Sequence, residues 1–244
     1  MEVLATCHMH STWSYDGSWS LEELSARFEH RTRVLMMTEH DRGFTAARLA
    51  QYREACARAS SEKILVVPGI EYSDADNRVH VLVWGAVPFL GEGQPTGEML
   101  DRVRDAGGFA VLAHPSRREA WKGFDRAWAE RLQGIEAWNR KYDGWAPSKT
   151  APALLNVTSG IPFVGLDFHT DRQSFPLAMA LEIEGPITEQ PVLECLRLRR
   201  CSPRAFGLPF NEGLVRGVLP ALGLAEQGRR KIASIVKLSR VPRP

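Results

Sequence analysis

Short β-branched apolar runs alternate along this chain with longer stretches whose hydrophobic residues recur at helical spacing. Residues 2–7, 33–38, 64–68, 79–84, 109–113, 134–138, 162–167 and 177–183 read as strands. Helices are expected over Leu21–Phe28, 44–60, 97–106, 124–132, 148–159 and 189–199. The first of these is introduced by Ser20, with Glu22 and Glu23 in its opening turn. Gly91 to Gly97 is a Gly/Pro-containing loop. Such alternation predicts parallel strands joined by helices, an α/β fold. If the strands close into a barrel, their carboxyl ends meet on one face, where the active sites of such barrels are built.

The polar residues that end these runs point to chemistry. His8 and His10 follow Val3 to Thr6, and His40 follows Val34 to Thr38. His114 follows Phe109 to Ala113, His169 follows Phe163 to Phe168, and His80 lies inside Val79 to Trp84. Glu71 closes the run Ile64 to Ile70. One histidine at a strand end is usually a satisfied polar group. Six of the chain's seven histidines so placed, with carboxylates beside them, read as metal ligands. His30 is the internal control: it sits between a helix and the next strand, on the opposite side, and is expected to be an ordinary surface residue.

Strand alternation puts residues i and i+2 on one face, so His8-x-His10 and Asp167-x-His169 each aim two donors into one space. By the same parity the Cys7 thiol points away. Asp16 lies in the Ser11–Gly17 loop, which can fold it back over the strand end.

Composition narrows the classes. The 244 residues suit one α/β domain spanning 1–244. Charged and hydrophobic fractions of 25% and 44% argue against disorder and against a membrane span. With no apolar signal region at its start, the protein is expected to be cytoplasmic. Cys7, Cys56, Cys195 and Cys201 are few and scattered, so reduced thiols are expected, and Cys195 and Cys201 are too isolated for a zinc site. A net charge of +2 is too small to imply nucleic acid. From about 226 to 244 the chain is a basic extension: after Glu226 come Arg229, Arg230, Lys231, Lys237, Arg240 and Arg243 with no acid. It reads as a solvated surface helix, with docking to a partner or an anionic surface as the alternative.

In order along the chain, the motifs resemble the PHP family, the polymerase and histidinol phosphatase superfamily. They are His8-x-His10 with Asp16, Thr38-Glu39-His40-Asp41, Gly69-Ile70-Glu71, His80, Ala113-His114-Pro115 and Asp167-Phe168-His169. The match covers most of the chain. The resemblance implies a distorted seven-stranded (β/α) barrel with a three-metal site. It assigns His8, His10, Glu71 and Asp167 to one metal. Glu71, as a bridge, joins His80 and His114 at the second, and Asp16, His40 and His169 hold the third. Glu39 departs from the pattern, being one methylene longer than the aspartate the family usually places before this histidine. Its hydrogen bonds to a bound imidazole or water are where a difference is expected. Asp16 stands where some relatives use histidine, which makes the third site richer in oxygen.

Imidazole and carboxylate sets without thiolates suit Zn²⁺, Mn²⁺ or Fe²⁺. Clustered divalent ions lower the pKa of a bridging water and clamp phosphoryl oxygens. Asp16, His40 and His169 are the candidates to protonate a leaving group. For phosphate, arginine supplies a bidentate fork, and Arg117, just after the Ala-His-Pro turn, is the first choice. Arg42, Arg172 and Lys141, with Asn139, occupy comparable loops. Trp13, Tyr15 and Trp19 surround Asp16 and are candidates to stack on a base or sugar, with packing as the plainer reading.

The expected activity is hydrolysis of a small phosphomonoester, with nucleic acid an unlikely partner. A nuclease, a non-catalytic regulatory domain, and a hydrolase of C–N or C–O bonds are the rivals.

Overall fold

The computed structural model describes residues 1–210 and 212–239, with side chains in the last helix described for 217–229, 231 and 232. The first half comprises β1 (Glu2–Met9), α1 (Leu21–Phe28), β2 (Val34–Met37), β3 (Glu39–His40), α2 (Ala46–Ala59), β4 (Leu65–Val67), β5 (Gly69–Ser73) and β6 (His80–Trp84). Then follow α3 (Thr96–Asp105), β7 (Phe109–Leu112), β8 (Gly134–Asn139), α4 (Ala151–Val157), β9 (Ile161–Gly165) and β10 (Leu177–Glu182). The chain ends with α5 (Glu189–Arg197), β11 (Cys201–Ala205), β12 (Leu208–Pro209) and α6 (Glu212–Ser239).

The strands form two sheets, in the orders β12-β11-β10-β1-β2-β4 and β3-β5-β6-β7-β8-β9. Two stretches run from one sheet into the other. The run 34–40 passes from β2 to β3 at Thr38, and the run 65–73 passes from β4 to β5 at Pro68, whose nitrogen can donate no ladder bond. At this crossing a Cβ on Gly69 would lie 2.5 Å from both the Met37 carbonyl oxygen and the Trp84 ring, so only glycine fits. Trp84 Nε1 uses that space to donate to Met37 O at 2.8 Å. A third link joins β1 to the turn after β9. Leu166 N donates to Cys7 O, Phe168 N to His8 O, and His10 N to Phe168 O, at 2.9–3.0 Å.

The strands are not all parallel, contrary to expectation. β6 is antiparallel to both β5 and β7. The β5–β6 connection is a short turn with Asp74 at its base, and so short a link permits only a hairpin. The reversal matters for the site: it puts His80, the first residue of β6, at the same end as the last residues of its neighbours, opposite Ser73.

The helices bury the apolar stripes read from the sequence. Leu21, Leu24 and Phe28 of α1, Leu49, Tyr52 and Cys56 of α2, and Met99, Leu100 and Val103 of α3 all lie in the core. α1 starts where Ser20 forecasts: its hydroxyl accepts the Glu23 N–H, and the Glu23 carboxylate accepts the Ser20 N–H, a capping box. Two expected helices differ. Of 124–132 only Arg126–Trp128 forms a 3-10 turn, and before it Arg117–Gly123 is a 3-10 stretch interrupted by Arg118 and Glu119 in left-handed conformation (φ 47° and 54°). α4 begins at Ala151 rather than 148, because Pro152 is tolerated only in a first turn.

β11, β12 and α6 were not anticipated as a unit. In α6, Arg229 pairs with the buried Glu226 at 2.6 Å. The side chains of Arg230 and Lys237, and Arg240 and Arg243 altogether, lie outside the described residues. Among the described residues no helix is long and apolar enough to cross a membrane. All four cysteines are free thiols, and Cys7, Cys56 and Cys195 are buried.

Candidate metal centre

Backbone irregularity at the strand ends aims the donors. His8 has φ 60°, and the β1–β2 register shifts between Cys7 and Met9, so a bulge re-aims this imidazole. Simple alternation therefore does not explain the His8-x-His10 pair, although the two rings do converge, with centroids 5.3 Å apart. His114 (φ 23°) and Asp167 (φ 49°) also sit in the left-handed region. For residues with a β-carbon each such conformation costs about 1–3 kcal/mol and persists where surrounding structure enforces it.

Glu71, at the centre of β5, is the hub. Its Oε1 lies 2.7 Å from His80 Nδ1, 2.9 Å from His114 Nε2 and 3.5 Å from His8 Nε2. Its Oε2 lies 3.0 Å from His40 Nδ1 and 3.6 Å from His10 Nε2. Asp167 approaches the same nitrogens from the other side, 3.6–3.9 Å from His8, His10 and His114 and 3.2 Å from His169 Nδ1. Asp16 closes the cluster at the solvent side, 3.3 Å from His40 Nε2 and 3.2 Å from His169 Nε2. All nine sequence-identified donors are thus brought together. His30 is exposed and remote, as expected.

The donor set fits cations. His8 Nε2 and His10 Nε2 are buried and have no hydrogen-bond partner, a costly arrangement for polar atoms inside a protein. Their spacing from the Glu71 oxygens suits a shared ion: two ligands each about 2.1 Å from one tetrahedral ion stand about 3.4 Å apart. Four triads have donor atoms within 4.8 Å of one another: His8, His10 and Glu71; His8, His114 and Asp167; Glu71, His80 and His114; and His10, His40 and His169.

Imidazoles and carboxylates in the cluster shift one another strongly. Burial disfavours a charged His40, yet Asp16 and Glu71 outweigh it and raise its pKa to about 10. His8 is likewise raised, burial being overcome by Glu136, Asp167 and Glu71. Burial and the neighbouring His169 and His40 push His10 well below its usual range, and burial also lowers His80. Glu71, Asp167 and Asp16 are held ionised by the surrounding imidazoles despite their burial.

Sequence reasoning missed the supporting residues. Glu136, fully buried in β8, lies 2.9 Å from His8 Nδ1 and accepts from the His114 N–H and the Asn139 amide. The available signal was a charge inside the apolar run Ile135–Trp138. Glu39, where the family pattern differs, is also fully buried. It accepts from the Ser11 N–H and hydroxyl and from the Ser14 hydroxyl. Ser14 in turn lies 3.3 Å from His10 Nδ1 and accepts the His40 N–H, so serines stand between the longer carboxylate and the imidazole. Burial raises the Glu39 pKa.

Above the cluster opens a cavity of about 340 Å³, lined by Asp16, His40, Glu71, His80, His114 and Asp167 together with Arg42, Arg117 and Lys141. Lys141 Nζ lies 3.1 Å from Asp167; burial opposes its charge, but Asp167 prevails and keeps the ammonium protonated. Arg42 lies over the exposed Tyr15, which stacks on His40 at 5.1 Å. Arg172 is exposed and does not line the cavity, and Asn139 is fully buried behind Asp167. Trp13 packs against Tyr52, and Arg27 covers Trp19, so of the aromatic trio only Tyr15 faces the site.

No family model matches the sequence, and no curated protein matches it. The fold, however, is shared with solved structures. One is a two-domain protein from Bacteroides vulgatus containing a predicted PHP-like metal-dependent phosphoesterase, 17% identical, with a TM-score of 0.62 over 88% of this chain and 68% of that one. PsfC from Pseudomonas syringae is 16% identical, with a TM-score of 0.60 over 95% and 99% of the two chains. The lesion-specific endonuclease EndoQ from Pyrococcus furiosus is 14% identical, with a TM-score of 0.58 over 81% of this chain and 56% of its own. The chain therefore has the fold of PHP-like metal-dependent phosphoesterases. That fold also serves an enzyme acting on DNA, so a small net charge does not set nucleic acid aside.

Proposed function

We propose that this chain is a metal-dependent phosphoesterase of the PHP superfamily that hydrolyses a small phosphomonoester. In this reading the two sheets, linked through Thr38, Pro68 and the β1–Phe168 bonds, act as one distorted seven-stranded barrel in a single domain. The observation that carries the reading is the convergence of nine donors, five of them imidazoles set around Glu71, with inward-facing nitrogens that have no other partner. His8, His10, Glu71 and Asp167 would hold one ion, Glu71, His80 and His114 a second, and Asp16, His40 and His169 a third.

Divalent ions bound there would supply an activated water and charge neutralisation for the phosphoryl oxygens. The chain's own residues do the rest. Lys141 presents a fixed positive charge beside Asp167 for a non-bridging oxygen. Arg42 and Tyr15 border the mouth, where the ester's organic part would lie. As holders of the third ion, Asp16, His40 and His169 would place positive charge at the solvent side, where the departing oxygen leaves. The cavity volume, at the lower end of ordinary small-molecule sites, supports a small ester.

The test is elemental analysis of protein purified without chelator, followed by phosphate release from an aryl phosphate, sugar phosphates, nucleotides and an abasic-site DNA duplex with Mn²⁺, Zn²⁺ or Fe²⁺. More than one ion per chain is expected, with monoester hydrolysis that a chelator abolishes and that Glu71→Gln loses. Chelator-insensitive hydrolysis overturns the metal reading. DNA cleavage faster than any monoester hydrolysis overturns the substrate assignment alone.

A further inference from the structure

Asn77 sits in the β5–β6 turn with φ 51°, a left-handed conformation that asparagine tolerates better than most residues. Its side-chain oxygen lies 2.6 Å from His80 Nε2 and accepts from Arg117 Nη2 at 3.0 Å. Arg117 also donates through Nη1 to the Asn77 backbone oxygen at 2.8 Å and through Nε to the Tyr142 hydroxyl at 3.0 Å. Arg118 adds a further bond to the same backbone oxygen at 3.1 Å. The two arginines reach Asn77 from a turn in which the exposed Arg118 and Glu119 are both left-handed.

These contacts fix a proton. A guanidinium can only donate, so the Asn77 atom facing Arg117 must be the oxygen. An oxygen without hydrogen can only accept, so the nitrogen of His80 that faces it must carry the proton. His80 is then protonated at Nε2. In the neutral ring Nδ1 then has only its lone pair, and Glu71 Oε1, 2.7 Å away, is an acceptor too, so the two face each other with no proton between them and suit a shared cation.

We propose that Arg117 and Asn77 are positioning residues for the metal centre, a relay that locks His80 in the Nε2-protonated form and presents Nδ1 to the ion shared with Glu71. The inference rests on the metal-centre reading above. It gives Arg117 a task different from gripping phosphate: three of its five N–H groups already hold Asn77 and Tyr142.

Zinc affinity, measured by competition with a chromogenic chelator, tests the relay in wild type, Asn77→Gly, Asn77→Asp, Arg117→Gln and the Asn77→Gly/Arg117→Gln double variant. Glycine keeps the left-handed turn while removing the amide, so a folding defect is not expected, and circular dichroism checks it. Asn77→Gly should weaken one zinc site by about 10–100-fold, the usual effect of losing a group that orients a ligand. Arg117→Gln should weaken it less, and the double variant no more than Asn77→Gly alone, because the two act in series. Asn77→Asp, which keeps an acceptor, should bind within a few-fold of wild type. In zinc-loaded wild type, ¹⁵N spectra should show the His80 proton on Nε2.

Unchanged zinc affinity in Asn77→Gly and Arg117→Gln, with only KM raised, overturns the relay and returns Arg117 to phosphate binding. A His80 ring without a proton on Nε2 overturns it independently. Wild-type protein that takes up no zinc, manganese or iron marks failure of the metal-centre reading itself, and the relay falls with it.

Discussion

His8 Nδ1 lies 2.9 Å from Glu136 Oε1, with both side chains fully buried, and the backbone of Gly165 makes the pairing possible. A β-carbon at Gly165 would stand 2.2 Å from that oxygen and 2.7 Å from His8 Cβ. With Nδ1 engaged by a carboxylate, His8 turns Nε2 toward Glu71 and Asp167. Glu136 also accepts the His114 N–H, so one carboxylate orients donors from β1 and from the end of β7.

Glu136→Gln should therefore lower metal affinity by about 10–100-fold, since the amide offers only one acceptor oxygen where His8, His114 and Asn139 all donate. Titration with Zn²⁺ or Mn²⁺ by calorimetry checks this. Affinity equal to wild type would mean that His8 is not an ion ligand.

Glu39 holds the Ser11–Ser14 loop to the start of β3, and its partners are buried with it. Glu39→Ala should strand the Ser11 and Ser14 donors and cost about 3 kcal/mol or more, as each unsatisfied buried group costs about 1–3 kcal/mol. Ser14→Ala should cost less stability but also weaken metal binding through His10. Urea denaturation of the metal-free proteins separates the two.

Metal uptake should expel protons. In metal-free protein His40 titrates at about 10 and His8 is also raised, so both imidazoles carry protons at neutral pH that a cation must displace. Affinity should fall as pH falls, by about tenfold per pH unit for each proton released. Calorimetric enthalpies at pH 7.5 in buffers of different ionisation heat count those protons directly, and buffer-independent enthalpies would contradict the assignment.

Cations that bind only the folded state should stabilise it by about 2.7 kcal/mol at a free concentration one hundred times the dissociation constant. For a chain of this size that is a rise of several degrees in Tm. Thermal scans with Mn²⁺ or Zn²⁺, and with chelator, test it. His30→Ala, at an exposed position, should match wild type in metal content and lie within about 0.5 kcal/mol of it in stability.

Eight of the nine donors were legible because they lie in or beside the ends of apolar runs, where a polar residue announces itself, and Asp16, in the Ser11–Gly17 loop, was legible through its place after His8-x-His10 in the family's motif. α1 was legible for a similar local reason, through Ser20. What stayed hidden depends on contacts between distant segments. The bulge that swings His8 inward arises from pairing with β2, and the antiparallel course of β6 follows from how short the Asp74–Asn77 turn is in space. Glu136 was in view as a charge within an apolar strand, but its partners lie 22 and 128 residues away. Arg117 reads from sequence as a loop cation beside a site; only the fold shows its donors already spent on Asn77.

β1 has one neighbour close in sequence, β2, while its other contacts are made with residues 166–168 and with β10. In folding time this is a long wait. The segment holding His8 and His10 can settle only after a loop of more than about 150 residues has closed, and such late pairing slows folding. Until then β1 presents an unpaired apolar edge on which a second unfolded chain can add. The part of the centre written first in the chain is thus among the last to be set, and refolding yield at high protein concentration should hinge on that strand.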